Sequence, residues 1–419
     1  MLDIKFIREN ADLIKEAARK KRVKLDLEKL ITADDKRLAL LREVEGMREK
    51  QNATSTLVAG ATDGGVREGL IAEMKVLKET LQKKEEELRE IMKEWHTLML
   101  EVPNVPDISV PEGESDEQNV ETKVWGEKTK FEFTPKSHIE IMEKLDMLDI
   151  DRGVKIAGFR GYVLKNAGVN LSLAIWQLAL KFFSEKGFSP MIIPSLVKRE
   201  ALLGTGFLPQ GEEDLYKTQD GNFLAGTAEV GTMGYFMNEV IDLSKPKKCI
   251  SFSPCFRREA GSHSKDVKGL IRVHEFYKWE QVILCEANHE ASVRYHEELN
   301  RNTEEFIELL GIPYHTVVNC GGDLGLGQVK KYDVELWVPM EQKYREISSA
   351  SYFHDFQTRR LNIKYRDQEG KLKYAHSLNC TAIPTPRILV SLVENYQQAD
   401  GSINIPEVLR KYTGFDTIK

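Results

Sequence analysis

Cysteine is scarce in this sequence, and its arrangement excludes two classes of small-domain scaffold. Five cysteines occur in 419 residues, odd in number and widely spaced, at Cys249, Cys255, Cys285, Cys320 and Cys380. No two of them form a CxxC pair, so we expect neither a disulfide framework nor a zinc site. Reduced thiols of this kind are typical of a cytoplasmic protein.

Several other signals are missing from the sequence. No apolar run approaches the roughly 20 residues that a membrane span needs, and the acid-containing N-terminus is unlike a secretory signal or a transit peptide. The patterns HExxH and GxSxG do not occur. Gly321–Gly327 is rich in glycine but lacks the Lys-Ser/Thr ending of a P-loop, so phosphate binding there is disfavoured.

Neither sign of charge dominates the chain. Lys and Arg total 60 and Asp and Glu total 66, so the net charge is −6. This balance excludes a protein that is basic throughout, but it leaves room for a local face that binds nucleic acid. Residues 1–100 carry 21 basic and 20 acidic residues (+1), whereas the remainder carries 39 and 46 (−7). We therefore expect the N-terminal part to face an anionic partner.

The N-terminal part has clear helical periodicity. The length suggests two domains, and residues 1–102 are predicted to be helical. Two heptad-spaced segments flank a turn at Gly60–Gly65, which predicts an antiparallel coiled-coil hairpin. The spaced residues are Leu41, Val44, Arg48, Gln51, Ser55 and Val58, then Met74, Leu77, Leu81, Lys84, Leu88, Ile91, Trp95 and Leu98. A dimerisation coiled coil and a protruding arm both fit, and the polar positions near the tip favour the arm.

The composition changes after residue 102. Residues 103–125 contain three prolines and a run of acids and are predicted to be a linker, and residues 126–419 form the second domain. There, β-rich runs at 188–197, 248–257 and 334–339 alternate with helices. No βαβ unit recurs, so a doubly wound nucleotide fold is disfavoured and an antiparallel sheet is expected.

One segment combines charge with an aromatic ring. Residues 256–280 are predicted to form a strand ending in Arg257 and Glu259, a polar loop, and a second strand. Alternate positions of that second strand are Arg272, His274, Phe276, Lys278 and Glu280, which period two places on one face. Such a face is costly to bury unless a polar ligand meets it. The alternative is a solvated hairpin with ion pairs between its strands.

Two later segments also place polar residues in a β-rich context. In residues 344–351, alternation puts Glu346 and Ser348 on one strand face and Ile347 and Ser349 on the other. Residues 376–397 are predicted to form a polar strand, a proline turn and a helix with Arg387 in its first turn. A cation there opposes the helix macrodipole, which indicates an anionic ligand.

Together these segments resemble the seryl-tRNA synthetases, which are class II aminoacyl-tRNA synthetases, over essentially the whole chain. The helix before Gly187 with the segment to Pro194 is similar to class II motif 1. Residues 256–280 and 378–397 are similar to motifs 2 and 3. LAGTAEV (224–230) resembles the serine-binding segment. The sequence motifs FRxEAGS, TAE and ENYQxxDG are specific to the seryl branch.

The resemblance implies an α+β protein with an N-terminal antiparallel coiled-coil hairpin, which binds serine tRNA, and a class II catalytic domain whose antiparallel sheet is flanked by helices. It implies a serine–tRNA ligase that forms seryl-adenylate from L-serine and ATP and then transfers serine to tRNA, with selenocysteine tRNA as an alternative acceptor. ATP is a substrate, Mg²⁺ is the expected metal, and no zinc or membrane partner is expected. Motif 1 implies a homodimer.

The resemblance also assigns residues. Arg257 and Arg387 are expected to be catalytic through electrostatic stabilisation. L-serine is expected at Thr227, Ala228, Glu229, Glu280, Asn379 and Thr381. ATP is expected at Arg257, Arg258, Glu259, Val273, Phe276, Glu346, Ile347, Ser348, Ser349 and Arg387. Mg²⁺ would bind Glu346 and Ser349, because it prefers oxygen ligands. Adenine would lie between Phe276 and Arg387 with Glu259 at its amino group.

The chain departs from the family pattern at Arg258, at His263–Ser264, at Cys380 and at 384–386, which affects loop details. Two other functions were weighed. A catalytically inactive relative that only binds tRNA should lack at least one of Arg257, Glu280, Glu346 and Arg387. A ligase that charges a carrier protein should lack the hairpin. The chain has all four residues and the hairpin, so the active enzyme is favoured.

Overall fold

The computed structural model describes residues 1–261, 266 and 268–419, which form two compact units. The helical unit comprises Leu2–Arg19 and Val23–Pro103, and the sheet unit comprises Met1, Lys20–Arg22 and Asn104–Lys419. His263 and Ser264, where the sequence departs from the family pattern, lie outside the described residues. The division into 1–102, 103–125 and 126–419 stays a prediction.

Four helices form the N-terminal part: α1 (Ile4–Glu9), α2 (Ala11–Lys20), α3 (Leu27–Gly60) and α4 (Gly64–Glu101). Helix α3 begins at Leu27, because Asp26 caps it by accepting from the Lys29 amide at 2.9 Å. Asp63 caps α4 in the same way through Gly65 and Val66. The turn predicted at 60–65 is present but shorter, since only residues 61–63 lie outside the two helices.

Helices α3 and α4 pack as the predicted hairpin. Val44 on α3 and Leu81 on α4 are buried, as a heptad seam requires. Arg48 is a polar residue of this seam, and it is bound across the hairpin: its guanidinium donates to Glu85 Oε1 at 2.8 Å. Lys84, the charged seam position of α4, likewise pairs across the hairpin with Glu43 at 3.1 Å.

The sheet unit contains nine helices and eighteen strands among its described residues. The helices are α5 (His138–Lys144), α6 (Ile150–Ala157), α7 (Asn166–Glu185), α8 (Arg199–Thr205), α9 (Ala228–Tyr235), α10 (His289–Leu310), α11 (Phe356–Leu361), α12 (Arg387–Tyr396) and α13 (Glu407–Thr413). The strands are β1 (Val120–Trp125), β2 (Leu148–Asp149), β3 (Val163–Leu164), β4 (Ser189–Ile192), β5 (Leu196–Val197), β6 (Tyr216–Lys217), β7 (Phe223–Leu224), β8 (Val240–Ile241), β9 (Lys247–Phe256), β10 (Glu275–Cys285), β11 (Tyr314–Val318), β12 (Lys330–Val338), β13 (Lys343–Tyr352), β14 (Lys364–Arg366), β15 (Leu372–Tyr374), β16 (His376–Thr385), β17 (Ile403–Asn404) and β18 (Thr417–Ile418).

The main sheet has the strand order β1–β11–β12–β13–β16–β10–β9–β4. Its neighbours are antiparallel, as predicted, except for the edge pair β4–β9, which is parallel. The run at 188–197 forms two strands in different sheets. Pro194 lies between them and has no N–H for a ladder hydrogen bond, which accounts for the break. Strand β1 lies inside the segment predicted to be a linker.

Helices α7, α10 and α12 cover one face of the main sheet, and α13 packs on α7 and α10. Phe183 on α7 and Phe306 on α10 join Trp279 and Ile283 of β10 in the largest hydrophobic core. Because side chains alternate along a strand, Lys278 and Glu280 lie on the opposite face of β10. That opposite face carries the site described below. Among the described residues, no helix is long and apolar enough to cross a membrane.

Candidate active site

Two adjoining cavities open on this face of the sheet. The first cavity, of about 510 Å³, lies between β10, β13 and the start of α12. The second cavity, of about 910 Å³, lies between β10, β13, β16 and the start of α9. Arg257, Lys278, Glu346 and Thr381 line both. The two cavities are therefore parts of one cleft, with these four residues at their junction.

A buried ion pair lies at the junction. Lys278 and Glu280 are only 5% and 2% exposed, and the Lys278 ammonium pairs with Glu280 Oε2. The same ammonium donates to Thr227 Oγ1 at 2.8 Å and to Thr381 Oγ1 at 3.2 Å. Thr381 in turn donates to Glu280 Oε2 at 3.3 Å. The alternative of a solvated hairpin with ion pairs between its strands is wrong for Glu280, because its ion pair is buried and joins two residues of the same strand.

The N-terminal end of α9 supplies a second carboxylate. Thr227 is the N-cap of α9, and Glu229 lies in its first turn. Gln357 Nε2 donates to Glu229 Oε1 at 2.6 Å, and Ser377 Oγ donates to Gln357 Oε1 at 2.8 Å. Burial, and then the nearby Glu280 charge, raise the pKa of Glu229 to about 7. A cation binding beside it would favour the ionised form.

A β-bulge changes the predicted face assignment in β13. Val334 pairs with Ser348 and Glu335 pairs with Glu346, so Ile347 is an extra residue in β13. An extra residue reverses the alternation on one side of it. Glu346 therefore shares a cavity wall with Ser349 and not with Ser348. The prediction from simple alternation is wrong here, and Ser348 instead donates to the Thr381 carbonyl in the interior.

The first cavity is lined by two arginines and an aromatic ring. The Arg257 guanidinium lies 5.3 Å from the Phe276 ring centroid, and its Nε donates to the Gly226 carbonyl at 3.3 Å. Arg387 is the first residue of α12, as the sequence predicts. It donates to the Ile271 and Glu346 carbonyls, both at 2.8 Å, and burial lowers its pKa. Both cations are thus held by carbonyl oxygens.

Three other residues predicted for ATP line the same cavity: Glu259, Val273 and Ile347. Glu259 has a backbone φ of +54° and accepts from Arg272 Nη1 at 2.6 Å. Burial by itself raises the pKa of Glu259, but the hydrogen bond and charge of Arg272 outweigh burial, so the net shift is downward. An ionised carboxylate therefore lies at the wall of the first cavity.

Some predicted residues lie elsewhere. Arg258 is exposed, and its side chain donates to the Glu213 carbonyl at 3.1 Å. Ala228 is fully buried and, like Arg258 and Ser348, lines neither cavity. Strand β10 begins at Glu275, so Arg272 and His274 precede it rather than extend its face. Asn379, by contrast, lines the second cavity.

The residues at the junction can be tested for their fit to the implied Mg²⁺. No cluster of three or more His, Cys, Asp or Glu side chains that could hold a metal occurs in the described part of the chain. Glu346 and Ser349 nevertheless place a carboxylate and a hydroxyl on one wall of the second cavity. Mg²⁺ takes one or two carboxylates and completes its shell with phosphate oxygens and water. The donor set fits.

Sequence reasoning missed three features of the cleft. Lys278 was placed on the same strand face as Glu280, but its buried hydrogen bonds to Thr227 and Thr381 were not predicted, because both threonines lie far from it in the sequence. Gln357 lies on α11, far along the chain from Glu229, and carried no local signal. The loop Gly325–Gln328 also lines the second cavity, although its glycines do not form a P-loop.

Comparison with known proteins gives a consistent result. Residues 1–106 match the family model described as the seryl-tRNA synthetase N-terminal domain, and residues 216–396 match the tRNA synthetase class II core domain (G, H, P, S and T). The serine–tRNA ligase of Deinococcus radiodurans is 46% identical over 99% of this chain and 98% of its own length. That of Thermodesulfovibrio yellowstonii is 42% identical, with full coverage of both chains.

Solved structures agree with these sequence matches. The crystal structure of seryl-tRNA synthetase from Pyrococcus horikoshii complexed with ATP has a TM-score of 0.89 and 37% identity, covering 100% of this chain and 99% of that one. The cytoplasmic serine–tRNA ligase of Naegleria fowleri in complex with AMP has a TM-score of 0.86 and 32% identity, with the same coverage. The likeness extends over both units.

Proposed function

Because this chain belongs to the seryl-tRNA synthetase family, we propose that it activates L-serine with ATP and transfers it to serine tRNA. The observation that carries the proposal is the division of charge in the cleft. The first cavity is lined by three cations (Arg257, Lys278, Arg387) and two carboxylates (Glu259, Glu346), a formal balance of +1, whereas the second is lined by two of those cations (Arg257, Lys278) and three carboxylates (Glu229, Glu280, Glu346), a formal balance of −1. A polyanionic nucleotide fits the first cavity, and an amino acid with its ammonium group fits the second.

The first cavity would hold ATP. The Phe276 ring offers a face for adenine, with Arg387 opposite, and Glu259 would accept from the adenine amino group. Arg257 lies at the junction of the cavities, where the α-phosphate would meet the serine carboxylate. The carboxylate oxygen forms a bond to the α-phosphorus while the bond to the pyrophosphate oxygen breaks. Arg257 would stabilise the charge that develops on the equatorial oxygens.

Mg²⁺ would bind Glu346 and Ser349 and would neutralise phosphate charge. The protein contributes the placement of these two oxygens, which depends on the β-bulge at Ile347. Arg387 helps to hold the same segment, since it donates to the Glu346 carbonyl at 2.8 Å. The expected metal position and the expected nucleotide position are thus linked through one backbone segment.

The second cavity would hold serine. Glu229 and Thr227 would bind its ammonium group, and Asn379 lies beside them. Glu280 Oε2 is already engaged by Lys278 and Thr381, so we assign the serine hydroxyl to Oε1. Alanine lacks this hydroxyl and would leave a buried acceptor unpaired, which supports discrimination of about 10⁴–10⁵-fold. Threonine would be excluded sterically.

The helical unit would bind tRNA, in keeping with its long hairpin of α3 and α4. After adenylate formation, the seryl group would move to a terminal ribose hydroxyl of the tRNA, and AMP would leave. We also propose a cytoplasmic location, supported by five free, buried thiols. Selenocysteine tRNA is an alternative acceptor for the same step.

A homodimer through motif 1 is supported by an apolar surface on α7 and β4. Ile192 on the edge strand β4 is 85% exposed, and Leu173 and Leu180 on α7 are also exposed. An unpaired strand edge next to exposed apolar side chains is a surface that a second copy of the chain can cover.

The proposed activity and the role of Arg257 are tested together. The purified protein should catalyse serine-dependent exchange of pyrophosphate into ATP. Arg257→Ala should lower this rate by about 10²–10³-fold, as expected when one donor to the transition state is removed. The matched control Arg258→Ala should stay close to wild type, because Arg258 points to Glu213. Equal losses in the two variants would show that Arg257 has been misassigned.

Serine binding should depend on pH through Glu229. With a pKa of about 7, Glu229 is mostly protonated below neutral pH, whereas the serine ammonium requires the carboxylate. The KM for serine should therefore be about tenfold higher at pH 6 than at pH 8, as expected from the ionised fraction, and the KM for ATP should change little. Glu229→Gln should raise the KM at both pH values and remove this dependence. A variant that kept the wild-type pH profile would exclude Glu229.

Shortening the hairpin should separate the two half-reactions. Removal of residues 49–76, with the ends rejoined by a short Gly-Ser linker, keeps Val44 and Leu81 but deletes the tip. Pyrophosphate exchange should stay at the wild-type rate, whereas tRNA serylation should fall to background. Wild-type serylation should also weaken steeply with salt, because phosphate contacts release counterions. Equal loss of both half-reactions would contradict a tRNA-binding role.

The dimer is tested by sedimentation equilibrium. The wild type should have twice the mass of the chain, and Ile192→Glu should shift the equilibrium towards the monomer by placing charge in the apolar surface. Leu372→Glu changes an exposed apolar residue on β15 and should leave the dimer intact. A monomeric wild type would refute the proposal.

A further inference from the structure

The basic segment Lys20–Arg22 belongs to the sheet unit, although its neighbours Arg19 and Val23 belong to the helical unit. Its three side chains bind different partners there. Lys20 Nζ donates to the Val110 carbonyl at 2.5 Å, and Arg22 forms an exposed ion pair with Glu114. Only Lys21 reaches the cleft wall.

The Lys21 ammonium is bound by backbone carbonyls alone. The residue is 4% exposed. Its Nζ donates to the Gly325 carbonyl at 3.1 Å, to the Leu326 carbonyl at 3.0 Å, and to the Gln328 carbonyl. An ammonium has three protons, so these three acceptors match its capacity. Within the described residues, no carboxylate pairs with it.

A buried cation without a carboxylate partner costs stability. Burial accordingly lowers the pKa of Lys21 well below its usual value. The Lys21 ammonium is instead a common donor for three carbonyl groups that lie within four residues of one another. Without this donor, the carbonyl dipoles would repel one another. Lys21 thus determines the conformation of a loop at a cost in stability.

The loop that Lys21 binds is a wall of the second cavity. Gly325, Leu326, Gly327 and Gln328 all line that cavity, and none of them lines the first. Asn104 Nδ2 donates to the Gly327 carbonyl at 3.0 Å, so all four carbonyls have a donor. Gln328 Nε2 also donates to Ser351 Oγ at 2.8 Å. The carbonyls are engaged by Lys21 and Asn104, and the loop is held as a unit.

We propose that Lys21 is a positioning residue for the amino acid: its ammonium holds the Gly325–Gln328 wall, and thereby shapes the second cavity but not the first. The proposal rests on the assignment of serine to the second cavity. Its chemistry needs no contact between Lys21 and substrate, since the effect is transmitted through three carbonyl hydrogen bonds.

Lys21→Met removes the ammonium and keeps the apolar stem. The KM for serine in pyrophosphate exchange should rise at least about tenfold, equivalent to about one hydrogen bond to a charged group, while the KM for ATP stays within about twofold. Amide hydrogen exchange at residues 325–329 should become faster in the variant without substrates. Lys21→Gln keeps two N–H donors in its amide, so its changes in the serine KM and in hydrogen exchange should be smaller. It replaces Lys21→Met as the test variant if Lys21→Met does not fold.

Lys20→Met is the matched control, since it removes the same charge from the same segment without touching the loop. It should change neither the serine KM nor exchange at 325–329. The proposal is overturned if Lys21→Met leaves the serine KM unchanged, if both variants raise it equally, or if the ATP KM rises as much. Failure of the proposed function would differ: the wild type would show no serine-dependent exchange, while the hydrogen-exchange contrast between Lys20→Met and Lys21→Met would persist.

Discussion

The buried ion pair between Lys278 and Glu280 is the interaction on which the cleft depends. Removing two charges from water costs more than their attraction returns unless hydrogen bonds complete their surroundings. Thr227 and Thr381 supply those bonds. Thr227 caps α9 and Thr381 lies on β16, so one desolvated pair links a strand, a helix start and a neighbouring strand. The positions of the proposed serine-binding residues follow from this requirement.

The other cations of the cleft are held differently. Arg257 donates to the Gly226 carbonyl, Arg387 donates to the Ile271 and Glu346 carbonyls, and Lys21 donates to a loop. Carbonyl dipoles orient a cation without neutralising its charge. Arg257 and Arg387 therefore remain available to phosphate oxygens. In the second cavity the Glu280 charge is paired with Lys278, which leaves Glu229, held by the neutral Gln357 amide, as the carboxylate for an ammonium.

A large part of the fold was predictable because its signals are local. Heptad spacing and the Asp63 turn determine the hairpin, and alternation places Phe276, Lys278 and Glu280 on one face of β10. The family motifs located most residues of the cleft. Simple alternation failed in β13, since the bulge at Ile347 arises from pairing with β12. The same local reasoning extended β10 back to Arg272, whereas the strand begins at Glu275.

The sequence by itself thus determined the hairpin and the class of fold and indicated the chemistry of the cleft, because periodicity, helix capping and sequence motifs act over a few residues. Tertiary structure alone decided which distant groups meet. Lys21 binds a loop some 300 positions later, and Gln357 holds Glu229 from 128 positions away. Arg258 is turned towards Glu213 although its neighbour Arg257 enters the cleft. Hydrogen bonds of buried groups must be satisfied in three dimensions, and no local pattern encodes which partner the folded chain brings within reach.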